Sequence, residues 1–145
     1  MQNLINNLFG FITDNLVLSS LFGVTLLGLL MNEWLQQKFG VSGVEPNQAV
    51  QLINYEKAVL IDIRQTTDFS KGHIVGSINI PLPELTHKVE QLKGQYPKVP
   101  LIVVCNLGRS AIQASNSLEK AGLTSYYLAG GVQAWQQANL PLVNT

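Results

Sequence analysis

Across 145 residues there is one cysteine, Cys105, and only two histidines, His73 and His87. A single cysteine excludes a disulfide within the chain, so no oxidising compartment is implied, and a redox cycle inside one monomer has no resolving thiol. One thiol and two widely spaced imidazoles make a poor ligand set, and neither a metal nor a cofactor is expected. Charge is scarce as well. Only 12% of residues are charged and the net charge is zero, which excludes the basic surface that a nucleic-acid partner requires. The length suffices for one ordinary domain and an appendage.

The scarcity of charge is uneven. No charged residue lies between Asn15 and Asn32, and the run L-V-L-S-S-L-F-G-V-T-L-L-G-L-L-M is apolar nearly throughout. At about 1.5 Å per residue that uncharged stretch spans roughly 27 Å as a helix, against a hydrocarbon core of about 30 Å. Phe11, Ile12, Trp34 and Leu35 can extend it at the interfaces, and Gly23 and Gly28 are residues that membrane helices tolerate. A cleaved signal peptide is the rival, but no basic segment precedes the run and no small-x-small site follows Leu30. A buried core helix is the other, and the run is long and evenly apolar for one. The expectation is a transmembrane helix over 16–35, preceded by a tail over 1–15 that could lie in the interface. No Lys or Arg precedes the span and Lys38 follows it, so the positive-inside rule places the carboxyl-terminal domain in the cytoplasm. Residues 36–43, ending in Gly40-Val41-Ser42-Gly43, read as a linker.

From residue 44 strands and helices alternate. Pro46 opens a helix carrying Ala49, Leu52 and Ile53. Ala58–Ile63 is a strand without alternation, as expected when both faces are buried, and Asp62 and Arg64 share one face at its end. A short helical turn over Asp68–Gly72, a strand over Ser77–Ile80 and a helix from Pro83 to Leu92 ending at Gly94 come next. Leu101–Val104 is a strand and Ser110 the expected N-cap of the helix after it, which runs to Lys120. Ser125–Leu128 is a further strand, and Gly130-Gly131 turns into a last helix with Val132 and Trp135. This alternation predicts an α/β domain with a mainly parallel sheet, whose ligand crevice lies at the carboxyl ends of the strands.

Cys105 and Arg64 both fall at such ends. A loop between a strand and the start of a helix favours an ionised thiol, because unpaired N–H groups and the helix dipole stabilise negative charge. The alternative is a buried structural cysteine, a common fate of free thiols.

Four blocks then stand in one order: L-I-D-I-R with D-F-S-K-G-H-I-V-G-S-I-N-I-P, V-V-C-N-L-G-R-S-A, Y-Y-L-A-G-G-V-Q-A-W, and L-P-L. Together they resemble a single-domain rhodanese over about residues 44–143. A transmembrane helix ahead of one such domain also resembles a known bacterial inner-membrane arrangement. The resemblance implies a rhodanese-like domain over 44–145, with about five parallel strands and helices on both faces. It implies that Cys105 accepts and donates sulfur as a persulfide, in the loop Asn106, Leu107, Gly108, Arg109 and Ser110. Arg109 matches an arginine that orients an anionic donor such as thiosulfate. Asp62 and Arg64 match a pair that braces the loop, and His73 matches a structural histidine. One departure stands out: family loops read C-x-x-G-x-R-S, whereas Gly108 is followed directly by Arg109, so the loop is one residue short.

The implied reaction is ping-pong. The Cys105 thiolate takes the outer sulfur of a donor, and a thiol or cyanide-type acceptor then removes it. A cysteine phosphatase or arsenate reductase needs arginine six residues after the cysteine, where this chain has Ala111. The other rival is a non-catalytic, membrane-tethered adaptor that binds a membrane-protein partner.

Overall fold

The computed structural model describes residue 11, residues 15–39 and residues 41–144, with residues 32–39 as backbone only. The chain divides into two compact units, Met1–Gly40 and Val41–Thr145. The first carries helix α1, Leu16–Phe39. Consecutive residues such as Leu16, Val17 and Leu18 are all exposed on it, as are Leu29, Leu30 and Met31, so its apolar surface is not confined to one stripe. The hydroxyls of Ser20 and Thr25 donate back to the carbonyls of Val17 and Leu21 at 2.9 and 2.7 Å. Among the described residues no helix is long and apolar enough to cross a membrane. The side chains described on α1 end at Met31, and Leu16–Met31 covers about 24 Å of helix. The expected interfacial tail falls almost wholly outside the described residues.

The second unit runs β1 (Gly43–Val44), α2 (Pro46–Glu56), β2 (Val59–Asp62), α3 (Thr66–Lys71), β3 (His73–Ile74), β4 (Ile78–Asn79) and α4 (Leu82–Gln95). After these come β5 (Leu101–Val104), α5 (Arg109–Lys120), β6 (Ser125–Leu128), α6 (Gly131–Gln137) and β7 (Leu142–Val143). Five strands form one sheet in the order β1-β6-β5-β2-β4, and every pair in it is parallel. Strands β3 and β7 form a separate antiparallel pair.

Binary pattern explains the layers. Successive side chains of a strand point to opposite faces, so Ile61, Leu101 and Val103 face one way and pack with Leu85 and Leu92 of α4 and Ala111, Ala114 and Leu118 of α5. Leu60, Ile102 and Val104 face the other way, among Ala49 of α2 and Val132 and Trp135 of α6. All four residues of β5 are inaccessible to solvent, and each such side chain contributes about 1.5–3 kcal/mol of transfer free energy. The Trp135 indole N–H is satisfied by the Pro141 carbonyl at 3.1 Å.

Two expectations need correction, and one pair of strands has no counterpart in the sequence pattern. Gly43 is not linker but the first residue of β1, opposite Tyr127; a Cβ there would sit 2.6 Å from the tyrosine ring, so a larger residue would have to displace that ring. Gly94 does not end α4, which continues to Gln95 and stops at Tyr96, because Tyr96 still packs on the core and Pro97 follows. The β3–β7 ribbon was not expected at all, since two-residue strands carry no periodic signal.

Candidate active site

Register assembles the site. Strands β2 and β5 are parallel with Asp62 opposite Val104, and the Ile63 N–H continues the ladder to the Val104 carbonyl at 2.9 Å. The next residues on the two strands, Ile63 and Cys105, therefore stand level at the carboxyl end of the sheet, and Arg64, one residue further on, lines the same cavity as Cys105. Asp62 is fully buried. Its carboxylate accepts from Arg64 Nε at 3.0 Å and Nη2 at 2.7 Å, and from the Arg64 backbone N–H at 2.9 Å. Arg64 Nη2 also donates to the Gly72 carbonyl at 2.8 Å. Asn79 ties the same strand end, donating to the carbonyls of Asp62 and Arg64 at 3.0 Å each.

Cys105 leaves β5 as a buried residue, 8% exposed. The Gly108 N–H donates to its Sγ at 3.1 Å, because Gly108 adopts φ +86° and folds the loop back over the sulfur. Gly108, not Ser110, is the N-cap of α5; the left-handed turn enters the helix directly and leaves Ser110 within its first turn. The loop is held from the other side by the start of α6. Val132 N–H donates to the Cys105 carbonyl at 2.9 Å and Gln133 N–H to the Asn106 carbonyl at 3.3 Å. Gly130 and Gly131, both at positive φ, allow this approach; a Cβ on Gly131 would collide with the Cys105 carbonyl oxygen. With the carbonyls turned toward α6, the loop is free to present N–H groups to the sulfur.

Above the sulfur is a cavity of about 480 Å³, walled by Cys105, Asn106, Leu107, Arg109 and Ser110 on the loop, and by Arg64, Leu82 and Pro83 opposite. Arg109 is exposed on this wall and makes no side-chain ion pair or hydrogen bond among the described residues. A buried sulfur with a donor aimed at it, beside an uncommitted guanidinium, suits a nucleophile that receives an anionic reagent. His73 is placed elsewhere. It is buried, its ring stacks on Phe69 at 3.8 Å, and Nδ1 meets the Phe69 carbonyl at 3.0 Å. Asp62 does not reach the cavity and acts only through Arg64. Ala111, where a phosphatase loop would need arginine, is buried in the core.

A family model described as the rhodanese-like domain matches residues 45–138. The chain belongs to the rhodanese-like family. This rhodanese-like chain is 36% identical over 135 residues to the uncharacterized protein YibN of Escherichia coli, covering 92% of this chain and 94% of that one. It is 36% identical over 94 residues to the thiosulfate sulfurtransferase GlpE of Shewanella oneidensis, covering 64% of this chain and 90% of GlpE. Among solved structures, a rhodanese-related protein from Thermoplasma volcanium superposes with a TM-score of 0.62 at 24% identity, over 72% of this chain and 99% of that one. The last likeness concerns the fold.

The structure thus places Cys105, the loop residues, Arg109 and Arg64 around one cavity, with Asp62 and His73 outside its lining. In the sequence Gly130-Gly131 reads only as a turn, and its clamp on the loop went unseen. Two adjacent glycines just ahead of a helix were the available signal.

Proposed function

We propose that the chain is a sulfurtransferase that carries sulfur as a persulfide on Cys105, from a donor such as thiosulfate to a thiol or cyanide-type acceptor. The observation that carries this reading is the Gly108 N–H pointing at Cys105 Sγ at 3.1 Å, at the floor of a cavity walled by Arg109. In the first half-reaction the Cys105 thiolate attacks the outer sulfur of thiosulfate. A sulfur–sulfur bond forms to Cys105, the one to the sulfonate breaks, and sulfite leaves with its electron pair. The naming of GlpE as a thiosulfate sulfurtransferase supports the donor class.

The shortened loop favours a second reading, a rhodanese-like adaptor that binds a membrane-associated partner and transfers nothing. Only the Gly108 N–H lies within hydrogen-bond distance of Sγ among the described residues, and Leu107 at the crest of the loop is 60% exposed. Intact mass of the full chain in mild detergent after thiosulfate treatment decides between the two. Gain of one sulfur atom, absent in Cys105→Ser and reversed by cyanide, is the result expected of the enzyme. No gain from thiosulfate, mercaptopyruvate or a small persulfide, with the chain folded, leaves the adaptor.

We also propose a single-pass anchor in the cell inner membrane, with the catalytic domain on the cytoplasmic side. Its support is the uncharged run from Asn15 to Asn32 and the position of the first basic residue, Lys38. The inward-bonded hydroxyls of Ser20 and Thr25 suit a helix without water around it. Retention in membranes after alkaline carbonate is the expected result. Release into the supernatant would discard the anchor.

A further inference from the structure

Asn79 is a half-buried polar residue on the edge strand β4, outside the lining of the cavity above Cys105. Its side-chain amide is engaged at both ends. Nδ2 donates one hydrogen to the Asp62 carbonyl and the other to the Arg64 carbonyl, at 3.0 Å each. Oδ1 accepts from the Thr66 hydroxyl at 3.1 Å. Two carbonyls can be met only by the NH2 end, so the amide has a single satisfactory orientation.

These bonds meet β2 where its ladder ends. The Asp62 carbonyl also takes the Ile80 N–H at 2.9 Å, and the Ile63 carbonyl takes the Leu82 N–H at 3.1 Å. Pro81 has no N–H to give, and the Arg64 carbonyl is met by the Asn79 amide. Bridging the carbonyls of residues 62 and 64 fixes the backbone through Ile63 and Arg64. Arg64, Gln65 and Asp68 then line the cavity, and the bond to Thr66 secures the first turn of α3 among them. Arg64 spends Nε and Nη2 on Asp62 and Gly72; no bond among the described residues uses Nη1, which remains for an incoming anion. The thiol is held by other means. Gly108 meets its sulfur, and the start of α6 meets the Cys105 carbonyl. One wall of the cavity is thus anchored on β4 and the other on α6.

We propose that Asn79 is a positioning residue for this site. It holds the wall that carries Arg64, and so sets how tightly the cavity seats an anionic reagent without setting how reactive the thiol is. The proposal rests on the reading of the cavity as the place where a sulfur-bearing anion meets Cys105.

Thiol and wall are read separately, on the full chain in mild detergent. Methyl methanethiosulfonate, a neutral reagent, places a methylthio group on the Cys105 thiolate and releases methanesulfinate. The rate of that labelling, followed by intact mass, reports the thiol. Inorganic sulfate slows the labelling when it occupies the cavity, and the concentration that halves the rate reports the anion seat. In Asn79→Ala the rate without sulfate is expected to stay within about twofold of the parent, while the halving concentration rises by about threefold to tenfold. Half-saturation of sulfur loading by thiosulfate is expected to rise by the same factor, at an unchanged limiting rate. Asn79→Ser keeps one hydroxyl donor for two carbonyls; it is expected to fall in between, and it decides the matter if the alanine variant does not fold. Leu123→Val, a substitution in the core at the far end of the sheet, is expected to lower the melting temperature and move neither quantity. A parent chain that sulfate does not protect, or a halving concentration that stays put in the Asn79 variants, would overturn the proposal. So would a labelling rate that falls in step with anion affinity, or the same split in Leu123→Val. Protection that weakens as expected in a chain that thiosulfate never loads supports the role of Asn79 and defeats the transfer reading.

Discussion

The backbone N–H of Val132 donates to the carbonyl of Cys105 at 2.9 Å, joining the last helix of the domain to the loop that holds its only thiol. The bond turns the Cys105 peptide so that its oxygen faces α6 rather than the sulfur. Its neighbour Gly131 sits so close that a Cβ would overlap that oxygen. The geometry around the thiol is therefore set as much by residues 130–133 as by residues 105–110.

Gly131→Ala tests this clamp. The φ of +60° alone disfavours a side chain, at about 1–2 kcal/mol, and the methyl group must push the loop aside. Persulfide formation from thiosulfate, timed by mass spectrometry, is expected to slow by about tenfold or more, as expected when a catalytic group shifts by about an ångström. A rate equal to the parent chain would show that the loop holds its shape without α6.

The Asp62–Arg64 pair calls for a stability measurement. Arg64 is 8% exposed at the side chain and Asp62 1%. Asp62→Ala leaves a buried guanidinium without its counter-charge, a change that costs about 3–5 kcal/mol. Urea unfolding is expected to show a loss of stability of that size. A loss below about 1 kcal/mol would mean that Arg64 swings out to solvent, as surface pairs do.

Arg109→Ala separates binding from folding. The side chain is exposed on the cavity wall, so stability is expected to change by no more than about 0.5 kcal/mol. A charged hydrogen bond to an anionic donor is worth about 1.5–3 kcal/mol, and kcat/KM for thiosulfate is expected to fall by about tenfold to a hundredfold. An unchanged kcat/KM would assign donor recognition to the loop N–H groups alone.

Gly94→Ala should stabilise. Gly94 lies inside α4, and nothing stands within 4 Å of the place a Cβ would take. Alanine in a helix interior is better than glycine by about 0.5–1 kcal/mol. Thermal unfolding is expected to move upward, with thiosulfate kinetics unaltered. A downward move would show that the last turn of α4 needs the freedom of glycine.

The strand Leu101–Val104 and its helix were legible because four apolar residues after a proline, then a glycine and a 3.6-residue pattern, are local signals. The α/β class and the parallel sheet followed from the alternation of such segments, and Cys105 from being the only thiol at a strand end. The helix α4 was legible in position but not in length. Glycine weakens a helix without stopping it when Tyr96, just beyond, is drawn to the core.

What the sequence by itself determined is therefore whatever rests on local pattern: the elements, the class of sheet, the loop that carries the thiol and the uncharged amino-terminal run. What only the tertiary structure decided rests on register and close approach. The alignment of Asp62 with Val104 sets Ile63 level with Cys105 and carries Arg64 to the wall of the same cavity, and the left-handed Gly108 aims its N–H at the sulfur. The Gly130-Gly131 turn holds the loop from behind, and Asn79 ties the carbonyls of Asp62 and Arg64 from the neighbouring strand. Most of these contacts join residues from distant parts of the chain, and no spacing along the chain reports how far apart two side chains will stand once the sheet has formed.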